Sequence, residues 1–273
     1  MIFFVTGATG TVGRHIVEQL VRAGQHVRAL TRNPAKANLP DEVEIVAGDL
    51  TAPETFAHAL ADVTGIHLIN FDSGAGAQLQ TGPRLIELAK RSGMRRVTVL
   101  RGGQENALEQ AITASDLEWT LLQPVEFMAG ILDYASSIRA EGVVRVAFAD
   151  RLTAIVDEAD IGAVAAAVLI EGGQAGKTLT ITGPEVLTPR AMVRTLGTTL
   201  GRDIRFVELT EAQAREQWQA EGYPAEVIEF FVWAHGNTPE IGYTVVPTVE
   251  QVTGRPARTF AQWAAEHADA FRP

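Results

Sequence analysis

The chain has 273 residues, a formal net charge of −10 and no cysteine. This length allows one large α/β domain or a domain with a smaller lobe, while the missing cysteines exclude disulfides, thiolate catalysis and cysteine-ligated metals and favour a cytoplasmic protein. An acidic balance without a basic stripe argues against a nucleic-acid partner, and we find neither an apolar run that predicts a membrane span nor a signal-peptide pattern.

The first thirteen residues form the strongest local pattern. An apolar run over residues 2–5 ends at a turn in which Gly7, Gly10 and Gly13 have the spacing G-x-x-G-x-x-G. In a dinucleotide site the first glycine turns the chain, the second lets a pyrophosphate approach the backbone, and the third lets a helix pack close to the sheet. The first N–H groups of that helix then face the phosphates. Because a strand precedes the glycines and a helix follows them, the pattern favours a dinucleotide site over an ordinary strand–helix turn.

The next elements indicate which dinucleotide is bound. We predict a helix over residues 13–23 and a second strand over residues 26–30. A site that prefers NAD commonly has Asp or Glu about 20 residues after the glycines, where it accepts from the ribose 2′-OH. Here Arg32 follows the strand, and its forked, permanently charged donors suit a phosphate. The sequence therefore favours NADPH over NADH, with Lys36 adding charge, and a solvated loop arginine is the alternative for Arg32.

Strands and helices continue to alternate up to residue 124. Further strands are predicted at residues 43–47, 65–70, 97–100 and 119–122, and helices at residues 53–60, 78–92 and 105–115. This alternation predicts an α/β fold, a Rossmann-type doubly wound parallel sheet with helices on both faces. The ligand crevice of such a sheet lies beyond the carboxyl ends of its strands.

The alternation loosens after residue 124. Helices are predicted at residues 125–139, 160–170, 189–200, 210–220 and 224–234, and strands at residues 143–148, 153–156, 178–181 and 205–208. Helix caps are predicted at Asp160, Thr188, Thr210, Thr248 and Thr259. We therefore expect a nucleotide-binding core over residues 1–183, with residues 125–150 contributing to a substrate cleft, and a smaller α+β lobe over residues 184–273.

Seven segments carry a further signal when they are taken in order, namely residues 6–13, 30–34, 48–50, 115–124, 156–161, 179–185 and 254–260. Together they resemble the atypical short-chain dehydrogenases of the NmrA-like group over essentially the full length. The resemblance implies a Rossmann-type core, a small C-terminal lobe and NADP(H) binding. The group includes quinone and triphenylmethane dye reductases, and also nucleotide-sensing regulators with little or no catalysis.

The resemblance also implies a set of cofactor-binding residues. Gly7, Thr9, Gly10, Thr11 and Val12 match the pyrophosphate loop, Arg32 the 2′-phosphate binder, Asp49 and Leu50 the residues beside the adenine, Asn70 and Phe71 those beside the ribose, and Pro124 and Val125 those near the nicotinamide.

The usual proton donor of short-chain dehydrogenases is missing. Those enzymes use a Tyr-x-x-x-Lys pair, whereas Tyr134 is followed four residues later by Ile138. After the fifth strand we expect Arg101 to stabilise a developing oxyanion and Gln104 to hydrogen-bond a carbonyl. An ion pair or a contact with a cofactor phosphate is the alternative for Arg101. Hydride transfer to a quinone needs little acid catalysis because the product is a stabilised anion, so the missing pair does not exclude an enzyme.

A second set of residues is predicted to line the substrate cleft: Asp72, Glu126, Phe127, Met128, Tyr134, Phe230 and Trp233. The alternative is a turn cap for Asp72, a first-turn helix carboxylate for Glu126, and plain core packing for the apolar side chains. The six histidines have no metal-ligand spacing, so no metal is expected.

These observations predict an NADPH-dependent reductase that transfers hydride to a quinone, an enone or another aromatic carbonyl-type small molecule. The alternative is a non-catalytic NADP(H)-binding redox sensor. A small-molecule substrate is the expected partner, neither nucleic acid nor membrane is expected, and a homodimer is compatible with the sequence.

Overall fold

The computed structural model describes residues 1–71, 77–102 and 105–272, which form two compact units. The first unit lies within residues 1–124, 158–181 and 248–255, and the second within residues 125–157, 182–247 and 256–273. The expected single boundary after residue 183 therefore does not describe the chain. Residues 125–157 pack with the second unit and residues 248–255 return to the first, because packing and not sequence order decides which segments share a core.

The described residues contain nine strands and eleven α-helices. The strands are β1 (Ile2–Val5), β2 (His26–Thr31), β3 (Glu44–Ala47), β4 (Gly65–Ile69), β5 (Arg96–Leu100), β6 (Glu118–Pro124), β7 (Val143–Ala147), β8 (Lys177–Ile181) and β9 (Arg205–Leu209). The helices are α1 (Gly13–Arg22), α2 (Gly82–Arg91), α3 (Ala107–Thr113), α4 (Ala135–Glu141), α5 (Glu158–Glu171), α6 (Pro189–Leu200), α7 (Glu211–Ala220), α8 (Ala225–Gly236), α9 (Thr248–Thr253), α10 (Phe260–Glu266) and α11 (Ala268–Phe271). Among these helices of the described chain, none combines the length and the apolar character needed to cross a membrane.

The first unit is built on a parallel sheet with the strand order β3-β2-β1-β4-β5-β6-β8. This is the order of a doubly wound Rossmann-type sheet with one strand added beside β6, so the predicted fold class is confirmed. The strands at the centre of the sheet, β1 and β4, are almost wholly buried. Their continuous apolar sequences fit strands that are covered on both faces.

Glycines let helices of the first unit approach one another closely. A Cβ on Gly162 of α5 would stand 2.6 Å from the Cβ of His15 on α1. A Cβ on Gly82 of α2 would stand 2.5 Å from the Cα of Leu108 on α3. Both distances are far below a normal contact, so each helix pair depends on a missing side chain.

The second unit combines a two-stranded parallel sheet, β7 and β9, with a helical core. The core includes Met128, Ile138, Met192, Leu196 and Trp263, all nearly or wholly buried. The Trp263 ring stacks on His267 with 4.3 Å between ring centroids. Burial of these side chains, which come from four separate segments, stabilises this unit.

Three helices of the second unit begin where the sequence predicts. Thr188, Thr210 and Thr259 each accept a hydrogen bond from a backbone N–H in the first turn of α6, α7 and α10. Gln213 and Gln262 complete reciprocal capping boxes at the second and third of these helices. These predicted caps are confirmed, because the hydroxyl satisfies donors that the helix itself leaves unpaired.

Two predicted elements near residue 125 are wrong. The Met128 N–H donates to the Val156 carbonyl at 2.9 Å, and the Val156 N–H donates to the Glu126 carbonyl at 2.9 Å. This pairing holds Phe127 in an extended conformation, so the chain enters a 3₁₀ segment only at Met128 and α4 only at Ala135. Residues 153–156 form isolated bridges instead of the predicted strand.

The predicted cap at Asp160 is also wrong. Helix α5 begins at Glu158, and Asp160 lies inside its first turn, fully buried. Its Oδ1 atom is 2.6 Å from Nη1 of Arg255, which follows α9. A carboxylate that resembles a local helix cap in the sequence therefore forms an ion pair with a residue about one hundred positions away.

Candidate functional site

The glycine loop after β1 folds on itself so tightly that side chains are excluded. Gly7 has φ +60°, and its carbonyl accepts a hydrogen bond from the Gly10 N–H at 2.9 Å. A Cβ on Gly10 would stand 3.1 Å from the Gly7 carbonyl oxygen, and a Cβ on Gly13 only 2.0 Å from the same atom. The loop therefore presents backbone, and not side chains, on its inner surface.

The end of this loop offers unpaired backbone donors. Within the described residues, the N–H groups of Thr11 and Val12 donate to no protein acceptor, and no side chain caps α1. Arg14 folds back and donates from Nη2 to the Thr9 carbonyl at 3.0 Å, which fixes the loop. Free N–H groups at a helix N-terminus bind anions, so this loop fits a pyrophosphate.

A pocket of about 210 Å³ lies beside the loop in the first unit. Its lining residues are Gly7, Thr9, Leu30, Thr31, Arg32, Asn33, Gly48, Leu50 and Ile69. The fold thus brings together four predicted cofactor residues, Gly7, Thr9, Arg32 and Leu50, from three strand ends. None of the described lining residues is acidic, and the exposed Arg32 stands directly after β2. The pocket has the charge that suits a phosphorylated ribose.

Two predicted residues lie near this pocket without lining it. Asp49 accepts at Oδ1 from the N–H of Thr51 at 2.8 Å and from the Thr51 hydroxyl at 2.9 Å. Lys36 is exposed in a 3₁₀ turn, Pro34–Lys36. Their roles beside the adenine and the 2′-phosphate stay predictions.

A buried polar network lies at the ends of β4 and β5. The Asn70 amide donates to Glu109 Oε1 at 2.8 Å and to the Gly102 carbonyl at 3.2 Å. Glu109 is only 1% exposed, and its Oε2 stands 2.8 Å from Arg101 Nε. Arg101 also donates to Gln123 at 3.3 Å. The ion pair that the sequence left as the alternative for Arg101 is present, while a catalytic or phosphate-binding role stays a prediction.

Three further residues predicted to bind the cofactor lie at the ends of strands or just after them. Phe71 forms an isolated bridge with Gln78, Pro124 ends β6, and Val125 opens the second unit. Asp72 and Gln104 lie outside the described residues.

A second cavity, also of about 210 Å³, lies wholly within the second unit. Its aromatic wall comes from α7 and α8. The Phe231 ring packs edge-on against Trp218 with 5.3 Å between centroids and stacks on His235 with 6.0 Å between centroids. Tyr223 packs against the same ring with 5.2 Å between centroids. The cavity thus combines an aromatic wall with polar and charged side chains, and a concave site of this kind can bind a small molecule.

An ion pair between a buried arginine and a partly buried glutamate, 36% exposed, lines the same cavity. Arg151, 8% exposed, donates from Nη1 and Nη2 to the two carboxylate oxygens of Glu126 at 2.6 and 2.7 Å. Burial acts to raise the pKa of Glu126, but the hydrogen bonds and charge of Arg151 outweigh it and hold that pKa below its usual value. Both groups are therefore charged, and their charges cancel.

Two titratable rings in this cavity are uncharged at neutral pH. Burial raises the pKa of Tyr134 to about 12, so its hydroxyl keeps its proton. Burial lowers the pKa of His235 to about 4, and the nearby Arg151 charge acts in the same direction. The imidazole therefore carries one donor and one acceptor nitrogen.

The structure brings only part of the predicted substrate set to this cavity. Glu126 and Tyr134 line it. Met128 is fully buried in the core of the second unit, Phe127 is half-buried without lining the cavity, and Phe230 and Trp233 are 54% and 56% exposed. On α8, apolar residues occur all around the helix, and the role of Phe230 and Trp233 in substrate binding stays a prediction.

Sequence reasoning missed the side chains that build the cavity, namely Arg151, Trp218, Phe231 and His235. The four-residue spacing from Phe231 to His235 places them on one helix face. No comparable local pattern links Arg151 to Glu126 across 25 residues.

A family model described as NAD(P)H-binding matches residues 7–104. The chain is 36% identical over 285 aligned residues to a (4-alkanoyl-5-oxo-2,5-dihydrofuran-3-yl)methyl phosphate reductase of Streptomyces griseus, with all of both chains covered. It is 32% identical to an NAD(P)H azoreductase of Xenophilus azovorans, with 99% of each chain covered.

Solved structures share the fold. An NADPH-dependent quinone oxidoreductase of Escherichia coli, crystallised with NADPH, matches with a TM-score of 0.80 at 23% identity and covers 97% of this chain and 99% of its own. A triphenylmethane reductase of Citrobacter sp. matches with a TM-score of 0.77 at 19% identity and 99% coverage of both chains. Since full-length identity above 30% joins the chain to two reductases and its glycine loop lies in an NAD(P)H-binding domain, the chain belongs to the NmrA-like group of atypical short-chain dehydrogenases and is an NAD(P)H-dependent oxidoreductase.

Proposed function

We propose that this protein is an NADPH-dependent reductase that delivers hydride to an electron-poor conjugated double bond of a carbonyl compound, such as an enone or a quinone. The observation that carries the proposal is the first-unit pocket, where Arg32 follows β2 and no described lining residue is acidic. A phosphate on the adenosine ribose suits this charge, whereas a bare 2′-OH would lack its usual carboxylate acceptor.

The names of the relatives support the acceptor class. They specify an unsaturated lactone that bears an alkanoyl group, an azo compound and a quinone. Each acceptor is a conjugated π system that is stabilised after it takes up an electron pair. We extend this shared chemistry to the present chain.

The electrons and protons of the reaction balance without a strong acid. When bound, NADPH supplies a hydride, and the protein binds and orients the two reactants. Hydride adds to the β-carbon of the C=C–C=O group, and the π electron pair moves to the carbonyl oxygen to give an enolate. A proton from water then completes the saturated product at the α-carbon. These reaction steps need no strong acid, and they are therefore compatible with a chain in which Tyr134 has no lysine four residues later.

The first test is NADPH consumption by the purified protein with quinones, enones, unsaturated lactones, azo dyes and aromatic ketones. Calorimetry on the same sample measures NADPH binding. We expect turnover with the conjugated carbonyl compounds. Tight NADPH binding without turnover across the panel would contradict the reductase and favour the redox sensor.

The cofactor preference has its own test. Arg32→Ala is expected to weaken NADPH binding by about 10- to 100-fold, because a charged hydrogen bond is lost, and to change NADH binding by less than about threefold. Arg22→Ala, an exposed arginine in the last turn of α1, is the matched control. Equal losses for both nucleotides in Arg32→Ala would refute the assignment.

A further inference from the structure

We propose that the cavity of the second unit is the substrate-recognition site and that it selects an uncharged, planar, conjugated carbonyl compound over an anionic analogue such as a phosphate ester. The inference builds on the reductase function proposed above. In this proposal the Tyr134 hydroxyl donates a hydrogen bond to the carbonyl oxygen of the substrate.

Three polar groups of the cavity have no protein partner. In the part of the chain that the structure describes, the Tyr134 hydroxyl, the His235 ring nitrogens and the Trp218 indole N–H form no hydrogen bond. None of these polar atoms is fully buried, so all three groups remain accessible to a ligand. Polar groups in such enclosed places ordinarily have partners. The three groups are therefore available to a ligand.

The Tyr134 hydroxyl is the donor best suited to a carbonyl. Because burial raises its pKa to about 12, the hydroxyl stays protonated across the physiological range. A hydrogen bond to the carbonyl oxygen strengthens as hydride addition moves charge onto that oxygen. The contact would therefore favour a conjugated carbonyl over a saturated one.

The charges around the cavity disfavour an anion. Lining carboxylates, at Glu126, Asp133 and Glu221, outnumber the lining arginines, at Arg145 and Arg151. Arg151 is neutralised by Glu126, and Arg145 pairs with Glu141 at 2.5 Å. Burial raises the pKa of Asp133, and repulsion between Asp133 and Glu221 adds to this shift. An incoming phosphate would meet these two carboxylates without an arginine available to bind it.

The dimensions of the cavity fit a small ring system. Its volume is about 210 Å³, and a cavity of about 150 Å³ is known to hold a benzene ring. The rings of Trp218 and Phe231 provide flat apolar walls. Conjugated rings stack on such walls, whereas a saturated chain gains less from them.

The decisive experiment compares matched substrates that differ in one charged group. We would measure kcat and KM with NADPH for an uncharged hydroxymethyl 4-alkanoyl butenolide against its phosphate ester, and for a naphthoquinone against its sulfonate. The uncharged member of each pair is expected to have a kcat/KM at least about tenfold higher. A preference for the phosphate ester or the sulfonate would overturn the proposal.

Variants of the cavity assign the effect to named groups. Tyr134→Phe is expected to lower kcat/KM for the uncharged substrates by about 5- to 20-fold while NADPH binding and the thermal midpoint stay as in the parent. Tyr243→Phe, a tyrosine that does not line the cavity, is the matched control. Asp133→Asn combined with Glu221→Gln is expected to lower the ratio of kcat/KM for the uncharged substrate to kcat/KM for its charged analogue. An unchanged ratio would contradict the charge argument.

Direct binding separates this proposal from the reductase itself. Calorimetry with 1-tetralone, an uncharged aromatic ketone, needs no turnover. Weaker binding to Tyr134→Phe than to Tyr243→Phe, in a protein that reduces nothing on the panel, would support the pocket while the reductase function fails. Equal binding to both variants would overturn the pocket even if the protein is a reductase.

Discussion

The pocket beside the glycine loop of the first unit and the cavity of the second have the same volume, about 210 Å³, and are built in opposite ways. The first depends on backbone, through glycines that leave no room for a Cβ and N–H groups at the start of α1. The second depends on side chains, through a partly buried ion pair and rings from separate helices. A site built from backbone leaves a local sequence pattern, whereas a site built from distant side chains leaves none.

The largest expected effect breaks the side-chain site. Arg151→Met leaves the partly buried Glu126 carboxylate, 36% exposed, without its partner, which costs about 2–4 kcal/mol of the free energy of unfolding. Urea unfolding of the variant at pH 7.5 measures this loss. At pH 5 the loss should be smaller, because an unpaired, partly buried Glu126 has a raised pKa and binds a proton in the folded state.

The double variant Glu126→Gln with Arg151→Met is the control for the ion pair. It removes both charges and is expected to recover much of the lost stability. A single variant within about 1 kcal/mol of the parent would show that the pair is not essential to the second unit.

The next effect breaks the backbone site. In Gly13→Ala the new Cβ would stand 2.0 Å from the Gly7 carbonyl oxygen, so loop and helix must move apart. We expect a loss of about 2–3 kcal/mol of stability and at least a tenfold loss of NADPH affinity by calorimetry. Gly24→Asn places a side chain at φ +69° in open space and is the control. Wild-type NADPH affinity in Gly13→Ala would refute the backbone origin of this site.

The predictability of the fold follows the same division. The G-x-x-G-x-x-G loop and the caps at Thr188, Thr210 and Thr259 are local patterns, and the structure has them where predicted. The parallel sheet follows from the alternation of apolar strands and helices. Residue spacing in the sequence was thus enough to predict the Rossmann-type fold of the first unit.

The second unit was less predictable because its interactions are distant. Phe127 is extended through pairing with Val156, which no helical periodicity can indicate. Asp160 resembles a local cap but pairs with Arg255. On α8 both faces are apolar, so the sequence could not separate the cavity residues Phe231 and His235 from the exposed Phe230 and Trp233.

The smallest expected effect is the loss of folding stability at acid pH, which a buried histidine in each unit should cause. His67 is fully buried in β4, its Nδ1 lies 2.9 Å from the Thr98 hydroxyl, and burial lowers its pKa to about 3. Between pH 3 and the unfolded value near 6.5, the unfolded chain binds a proton that the folded chain does not. Stability therefore falls as the pH falls, by about 2 kcal/mol per such histidine from pH 7 to pH 5.

Replacing each histidine sharpens the comparison. His67→Gln in the first unit and His235→Gln in the second are each expected to reduce the pH 7 to pH 5 loss of stability by about 2 kcal/mol. Urea unfolding at the two pH values measures it, with the exposed His58→Gln as control. If the stability of His67→Gln falls from pH 7 to pH 5 as much as that of the parent, burial of His67 does not cause this loss.

The return of α9 to the first unit determines when that unit can finish folding during synthesis. Val249 is buried there, and Arg255 pairs with the buried Asp160 on α5. The nucleotide-binding unit therefore lacks one of its own packing segments until residue 255 has left the ribosome. By then residues 125–157 and 182–247 of the other unit have already been made. The two units mature together, and neither can be transferred to another protein as one continuous stretch of sequence.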